Sequence, residues 1–247
     1  MNDPQPAPLN GSRSAGDIAY QTLRRAIETA ELPAGAPFVE REQAALLGMS
    51  RTPFREALHR LALEGLVERI PKRGTFVTQL DPKDLEDHMI VREAMEIEMV
   101  RRLIDRLHTD AEFADEHLVQ QRRAIAAGDH RAFLAADEAF HVGLVSEAGN
   151  PRAVETVETS WLHVNRVRYL VPMTTAAMRK ALSEHRELTD AIRSRSAGRA
   201  QRILREHLEE GFYRLMAAQA RQNPGAFTSH TRALLMAGER RRAHRSR

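Results

Sequence analysis

The sequence predicts a mainly α-helical protein of two parts, an N-terminal winged helix-turn-helix followed by an all-α helical bundle. Three observations predict it. Between residues 15 and 78, three helical stretches precede two short β-like runs around Pro71-Lys72-Arg73-Gly74, the element order of a winged helix-turn-helix. Beyond Asp81-Pro82, apolar residues recur at helical spacing through six segments with no strand pattern among them, which predicts a bundle. With 247 residues, 42% of them hydrophobic and 29% charged, the chain is large enough to bury its own core and too apolar for disorder.

Each element has a local reason. Residues 1–14, rich in Pro, Asn, Gly and Ser, are expected to form a disordered tail. From Asp17 onward, Ile18, Tyr20, Leu23, Ile27 and Ala30 recur at three- and four-residue steps, until Leu32-Pro33-Ala34-Gly35-Ala36-Pro37 breaks the helix. A short helix over about 40–47 closes at Gly48, a left-handed cap. Ser50 is expected to cap the next helix, with Pro53 in its first turn and an end near Glu64-Gly65. Runs 66–70 and 75–78 then pair as a hairpin. A linker, 79–84, leads into the bundle, 85–222, with helices near 83–107, 110–127, 129–147, 151–171, 176–195 and 197–221. Gly128-Asp129, Gly149-Asn150-Pro151, Pro172 and Gly198 are the expected breaks. Residues 223–247 are expected to be a basic, flexible tail with room for one short helix over 226–237.

Composition excludes several classes. The chain has no cysteine, hence no disulfide scaffold, thiolate metal site or cysteine nucleophile. No apolar run approaches the ~20 residues of a membrane span, and the polar start lacks a signal-peptide core. A soluble, cytoplasmic protein with no membrane partner is expected. Net charge says little: it is +3 overall, and residues 15–78 hold nine basic against eight acidic side chains. Five arginines in the last eight residues either touch nucleic acid or stay solvated.

The case for DNA rests on where charges sit. Phe54, Ala57, Leu58, Leu61 and Ala62 form one apolar stripe that locks the third helix to its core. Arg51, Arg55 and His59 step by four along another face, with Thr52 beside Arg51. A recognition helix presents its N-terminal residues to base edges in the major groove, where arginine binds guanine bidentately. Arg41, opening the preceding helix, is placed for phosphate or an adjoining base. Arg73 and Gly74 form a wing tip whose glycine lets the backbone come close to the duplex. The alternative is a solvated face with Arg51 and Arg55 paired to Glu56 and neighbouring acids.

The run from Val39 to Leu58, with Arg41-Glu42-Gln43-Ala44 and Ser50-Arg51-Thr52-Pro53-Phe54-Arg55-Glu56-Ala57-Leu58, resembles the signature of the GntR superfamily of bacterial transcription regulators. So does Leu61-Ala62-Leu63-Glu64-Gly65-Leu66-Val67 through Lys72-Arg73-Gly74-Thr75-Phe76-Val77. The resemblance implies DNA contacts at Arg41, Arg51, Thr52, Arg55 and the Arg73-Gly74 wing. Met49 and Phe54 replace smaller apolar residues common there, and both are expected in the core.

Eleven histidines without cysteine invite a search for nitrogen and oxygen metal ligands. Asp137 and His141, four apart, share a helix face, while His185 and His207 lie on the last two bundle helices. One aspartate with three imidazoles suits a divalent ion such as Zn²⁺, Ni²⁺, Mn²⁺ or Fe²⁺. His108, His117, His130, His230 and His244 are expected to have no such role. Asp137-Glu138-Ala139-Phe140-His141, Ala148-Gly149-Asn150-Pro151, Glu184-His185-Arg186 and Arg205-Glu206-His207-Leu208 resemble the FCD ligand-binding domain of the FadR-type branch. That resemblance implies a divalent metal on Asp137, His141, His185 and His207, and a carboxylate effector facing Arg92. Arg92 and Glu96 continue a polar line from His88 on an otherwise apolar helix. An ordinary salt bridge between Arg92 and Glu96 is the alternative there. Ser196-Ala197-Gly198 departs from the Gly-Asp usual between the last two helices.

The expected function is therefore a ligand-responsive DNA-binding regulator, a repressor by preference. It would act as a homodimer on a short palindrome of double-stranded operator DNA and answer to a small carboxylate metabolite. A metal-dependent enzyme is the first alternative, but the chain has no His-Glu-x-x-His helix and no separate base on a motif. A regulator whose metal is purely structural is the second.

Overall fold

A computed structural model describes residues 14–106 and 111–222 and divides into two units, Met1–Gln79 and Leu80–Arg247. The expected tails and the short helix over 226–237 lie outside the described residues, Ser14 excepted. In the first unit α1 (Ala15–Glu28), β1 (Pro37–Phe38), α2 (Glu40–Leu46), α3 (Arg51–Leu63), β2 (Val67–Ile70) and β3 (Gly74–Val77) follow in order. In the second come α4 (Pro82–Arg106), α5 (Phe113–Ala127), α6 (His130–Glu147), α7 (Pro151–Arg168), α8 (Thr175–Arg193) and α9 (Ala197–Gln222).

The first helix starts where its cap puts it. The Ser14 hydroxyl accepts from the Asp17 backbone N–H while the Asp17 carboxylate accepts from that of Ser14, a reciprocal capping box. Ala19, Tyr20, Leu23 and Ile27 of α1 are buried, as are Phe54, Ala57, Leu58 and Leu61 of α3, the helix it packs against. Ile18 and Ala62, expected on these stripes, are exposed instead. At this seam Arg24 meets Glu64 at 3.0 Å and Arg60 meets Asp17 at 2.7 Å. The Tyr20 hydroxyl donates to Glu64, under the Arg60 guanidinium.

Between α2 and α3 the backbone turns at Gly48, whose φ of 66° is left-handed as expected. Ser50 takes the extended N-cap conformation, but its side chain makes no capping bond. Phe54 is fully buried and Met49 only partly so. The sheet is antiparallel with order β1-β3-β2. Its edge strand β1 begins at Pro37, the last residue of the segment read as a helix breaker; two residues are too few to show alternation, and a proline suits an edge. Leu66 lies outside the strand, and its N–H donates to Leu61 O at 2.9 Å, closing α3.

In the second unit, α4–α9 bury one apolar core around Val100, Phe140, Leu144, Trp161 and Leu204. Asp129, Asn150 and Thr174 cap α6, α7 and α8 with side-chain bonds to backbone N–H groups. Helix α5 begins at Phe113 rather than 110, after Ala111 takes a left-handed φ of 55°. Helix α7 ends at Arg168, earlier than the 171 that Pro172 suggested. Between α8 and α9 the turn is made by Arg195 at φ 52°, not by Gly198, which sits in the first turn of α9.

Candidate functional site

The expected reading face of the first unit is open. Arg41, Arg51, Thr52, Arg55 and His59 are all exposed. Arg55 Nε donates to Glu40 Oε2 of α2 at 2.5 Å, so Glu40, and not Glu56, orients that guanidinium. The wing turns through Lys72 at φ 63° and Gly74 at φ 117°, and Gly74 pairs with Ile70 across it. A Cβ on Gly74 would meet nothing closer than Phe76 at 3.8 Å, so the backbone angle demands glycine here, not crowding. Arg73 is exposed beside the same turn, its guanidinium 5.7 Å from the Phe76 ring centre.

In the second unit, Asp137 and His141 of α6, His185 of α8 and His207 of α9 converge, with one donor atom from each lying within 4.8 Å of the others. His207 Nε2 is 3.2 Å from both His141 Nε2 and His185 Nε2. His185 Nε2 is 3.6 Å from Asp137 Oδ1. The outer nitrogens are all engaged. His141 Nδ1 lies 2.7 Å from Glu96 Oε2, His207 Nδ1 2.7 Å from Glu184 Oε2, and His185 Nδ1 2.9 Å from Gln121 Oε1. Gln121 Nε2 donates to Ala136 O, which turns its oxygen toward His185.

These contacts fix the tautomers. A carboxylate or amide oxygen only accepts, so each Nδ1 carries the hydrogen and each Nε2 presents a lone pair. Burial lowers the pKa of His141 and His185, so both are neutral at pH 7. Burial would raise the Asp137 carboxyl, but Arg168, whose Nη2 donates to it at 2.5 Å, holds it well below the usual range. Three lone pairs and a carboxylate aimed at one point repel each other unless a cation lies between them. Imidazole nitrogens around a tetrahedral zinc at ~2.0–2.1 Å stand about 3.3 Å apart, close to the spacing here. The residues fit a divalent metal.

Arg92 and Glu96 sit against this cluster. They pair at 2.8 Å with 3% and 0% of their side chains exposed. Burial would raise Glu96, yet Arg92 and His141 outweigh it and hold its pKa down to about 2. The Arg92 guanidinium also lies 3.5 Å from the Trp161 ring centre, with Arg168 4.5 Å from it, two cation–π contacts on one indole. His88 leaves the polar line and stacks on His163 at 4.3 Å. A partly open cavity lies over the cluster. Arg92, Arg168, Lys180 and Arg214 line it with Asp137, Glu184 and Glu210, and Trp161 and Gly211 complete part of the wall.

Residues 16–77 match the gntR family of bacterial regulatory proteins, and residues 87–210, half of the chain, match the FCD domain. The chain belongs to the GntR family. It is 36% identical over 83% of its length to an HTH-type transcriptional regulator in an unstable DNA locus of Streptomyces ambofaciens, covering 86% of that protein. It is 29% identical over 82% of its length to the HTH-type transcriptional repressor RspR of Escherichia coli, covering 89% of it. McbR/YncC of E. coli shares the fold, with a TM-score of 0.75 at 20% identity over 84% of this chain and 99% of that one.

This GntR protein is thus a DNA-binding transcriptional regulator and not an enzyme. No helix among its described residues is long and apolar enough to cross a membrane. Within its FCD domain the structure brings together all four expected ligand residues, with Arg92 and Glu96 beside them. Sequence reasoning gave no role to Gln121, Glu184, Arg168, Trp161 or Arg214. Glu184 had a signal, as a carboxylate adjoining a candidate ligand. Gln121 had none, because it comes from a helix that contributes no ligand.

Proposed function

We propose that this GntR regulator is a ligand-responsive repressor that works in the cytoplasm as a homodimer on a short palindromic operator. Residues 15–78 read double-stranded DNA, 79–84 link, and 85–222 sense. Arg51, Thr52 and Arg55 are assigned to base edges, Arg41 to phosphate or an adjoining base, and Arg73 and Gly74 to the wing contact. The repressor named RspR among its relatives supports the sign of regulation.

Asp137, His141, His185 and His207 would hold zinc, nickel, manganese or iron. A bound ion would supply a Lewis-acidic anchor for a small carboxylate metabolite. Arg92, fixed by Glu96 and Trp161, offers that carboxylate a charge-assisted hydrogen bond. The observation that carries this reading is the convergence of three Nε2 lone pairs, each with its Nδ1 engaged. The effector changes operator affinity only insofar as it binds the two states of the protein differently.

Elemental analysis of the purified protein, with anisotropy titration on promoter DNA in the presence and absence of metal and carboxylates, tests the proposal. Metal binding lost in Asp137→Ala and His207→Ala, and operator affinity lost in Arg51→Ala with Arg55→Ala, are expected. Unchanged operator affinity in the double variant would refute the assigned reading face. The burial of Asp137, His141 and His185 favours a second reading, a metal that only holds the bundle together. Chelation would then lower the melting temperature without altering any ligand response.

A further inference from the structure

Resting on the reading of the cavity as a metal-and-carboxylate site, the geometry points to an effector with two acid groups, a dicarboxylate of about four to six carbons, whose far carboxylate is bound by Arg214. Arg214 is a half-buried guanidinium lining the cavity, and it makes no hydrogen bond or ion pair with any described residue. Burial lowers its pKa and Arg168 adds to the effect, while the fields of Asp137, Glu210 and Glu184 oppose the shift only in part. A half-buried guanidinium that lines a cavity without a hydrogen-bonded partner is placed to take an anion from outside. Trp161, on the same wall, likewise keeps a buried Nε1–H with no acceptor among the described residues.

The spacing sets the ligand's length. His207, Gly211 and Arg214 recur at four and three residues, so they share one face of α9, and all three line the cavity. Seven residues span about 10.5 Å of helix, and helical side chains lean toward the N-terminus, which brings the Arg214 guanidinium back toward His207. Gly211 lies between them, and a Cβ there would meet nothing within 4 Å. That leaves open space along the line from metal ligand to guanidinium. Charge agrees. The four cations of the wall are balanced by its three acids together with Glu96 behind Arg92. A divalent metal then adds two uncompensated positive charges, which a dianion neutralises and a monocarboxylate does not.

The test uses the full chain loaded with Zn²⁺, the fluorescence of its single tryptophan, and calorimetry. Matched pairs are titrated: butyrate against succinate, pentanoate against glutarate, hexanoate against adipate. At least one diacid is expected to bind about tenfold or more tightly than its partner monoacid. Arg214→Gln should abolish that preference while leaving monoacid affinity within about twofold, and Arg214→Lys should keep part of it. Because Arg214 has no hydrogen-bonded or ion-paired partner among the described residues, neither variant should unfold the domain, and thermal melting checks this. Equal binding of mono- and diacids by the native protein, or a preference that survives Arg214→Gln, overturns the inference while the metal-and-carboxylate reading stands. Binding of neither kind of acid overturns both.

Discussion

Replacing Arg92 with methionine separates the structural role of this side chain from its role toward a ligand. The substitution keeps apolar volume over Trp161 but leaves the Glu96 carboxylate, 0% exposed, with His141 as its remaining partner. Removing one member of a buried ion pair costs about 3–5 kcal/mol, and the surviving bond to His141 places the expected loss near the lower figure. In Arg92→Met with Glu96→Gln, the neutral amide can still accept from His141 Nδ1 and no charge is stranded. The double variant should recover to within about 1 kcal/mol of the native protein. Urea unfolding of chelated protein at neutral pH, followed through the emission of Trp161, reports on the helical unit alone. A single-variant loss below about 1 kcal/mol, the range of an exposed pair, would refute the view that this pair is buried and interdependent.

Other expectations concern the cluster and its surroundings. Gln121→Leu removes the acceptor of the His185 Nδ1–H and should weaken metal binding about 10–100-fold, measured by competition with a chromogenic chelator; unchanged affinity would mean that Gln121 does not orient the ring. Stripping the metal should lower the stability of the helical unit by about 4 kcal/mol at a free metal concentration a thousand times Kd, seen by thermal melting with and without chelator. Burial holds the pKa of His88 below 6.5, although Asp84 and Asp87 oppose the shift. The unfolded chain therefore takes up that proton first, so stability is fully present above 6.5 and falls as pH drops through 6.5 toward the lowered value. His88→Gln should flatten that part of the stability profile in urea titrations across pH, and an identical profile would exclude His88 as its source.

The winged unit was legible because its determinants are contiguous. The apolar stripe from Phe54 to Leu61, the glycine at 48 and the turn at 71–74 each act within one or two turns of chain. What escaped was the pairing of β1, too short to leave a pattern, and the exposure of Ile18 and Ala62, which periodicity cannot separate from their buried neighbours. In the helical unit, Asp137 and His141 share a face by spacing alone, whereas His185 and His207 were candidates on the last two bundle helices that family resemblance, and no spacing, tied to them. Helical spacing put His88 in line with Arg92 and Glu96, but a long helix meets different neighbours along its length, and His88 found His163. Gln121 and Arg214 gain meaning only from how far their helices are rotated against the rest, which no local pattern encodes.

Glu96, Gln121, the pair Asp137 and His141, the pair Glu184 and His185, and His207 come from α4, α5, α6, α8 and α9. Five separate stretches of chain are thus knotted at one point. A chimaera that exchanged any single one of them with a distant cousin would cut the knot, so this chemistry can be inherited only as a whole module. The arginine-bearing reader, by contrast, occupies one unbroken piece of sequence. Recombination could attach a new winged unit to an old helical unit far more readily than it could assemble such a cluster from parts.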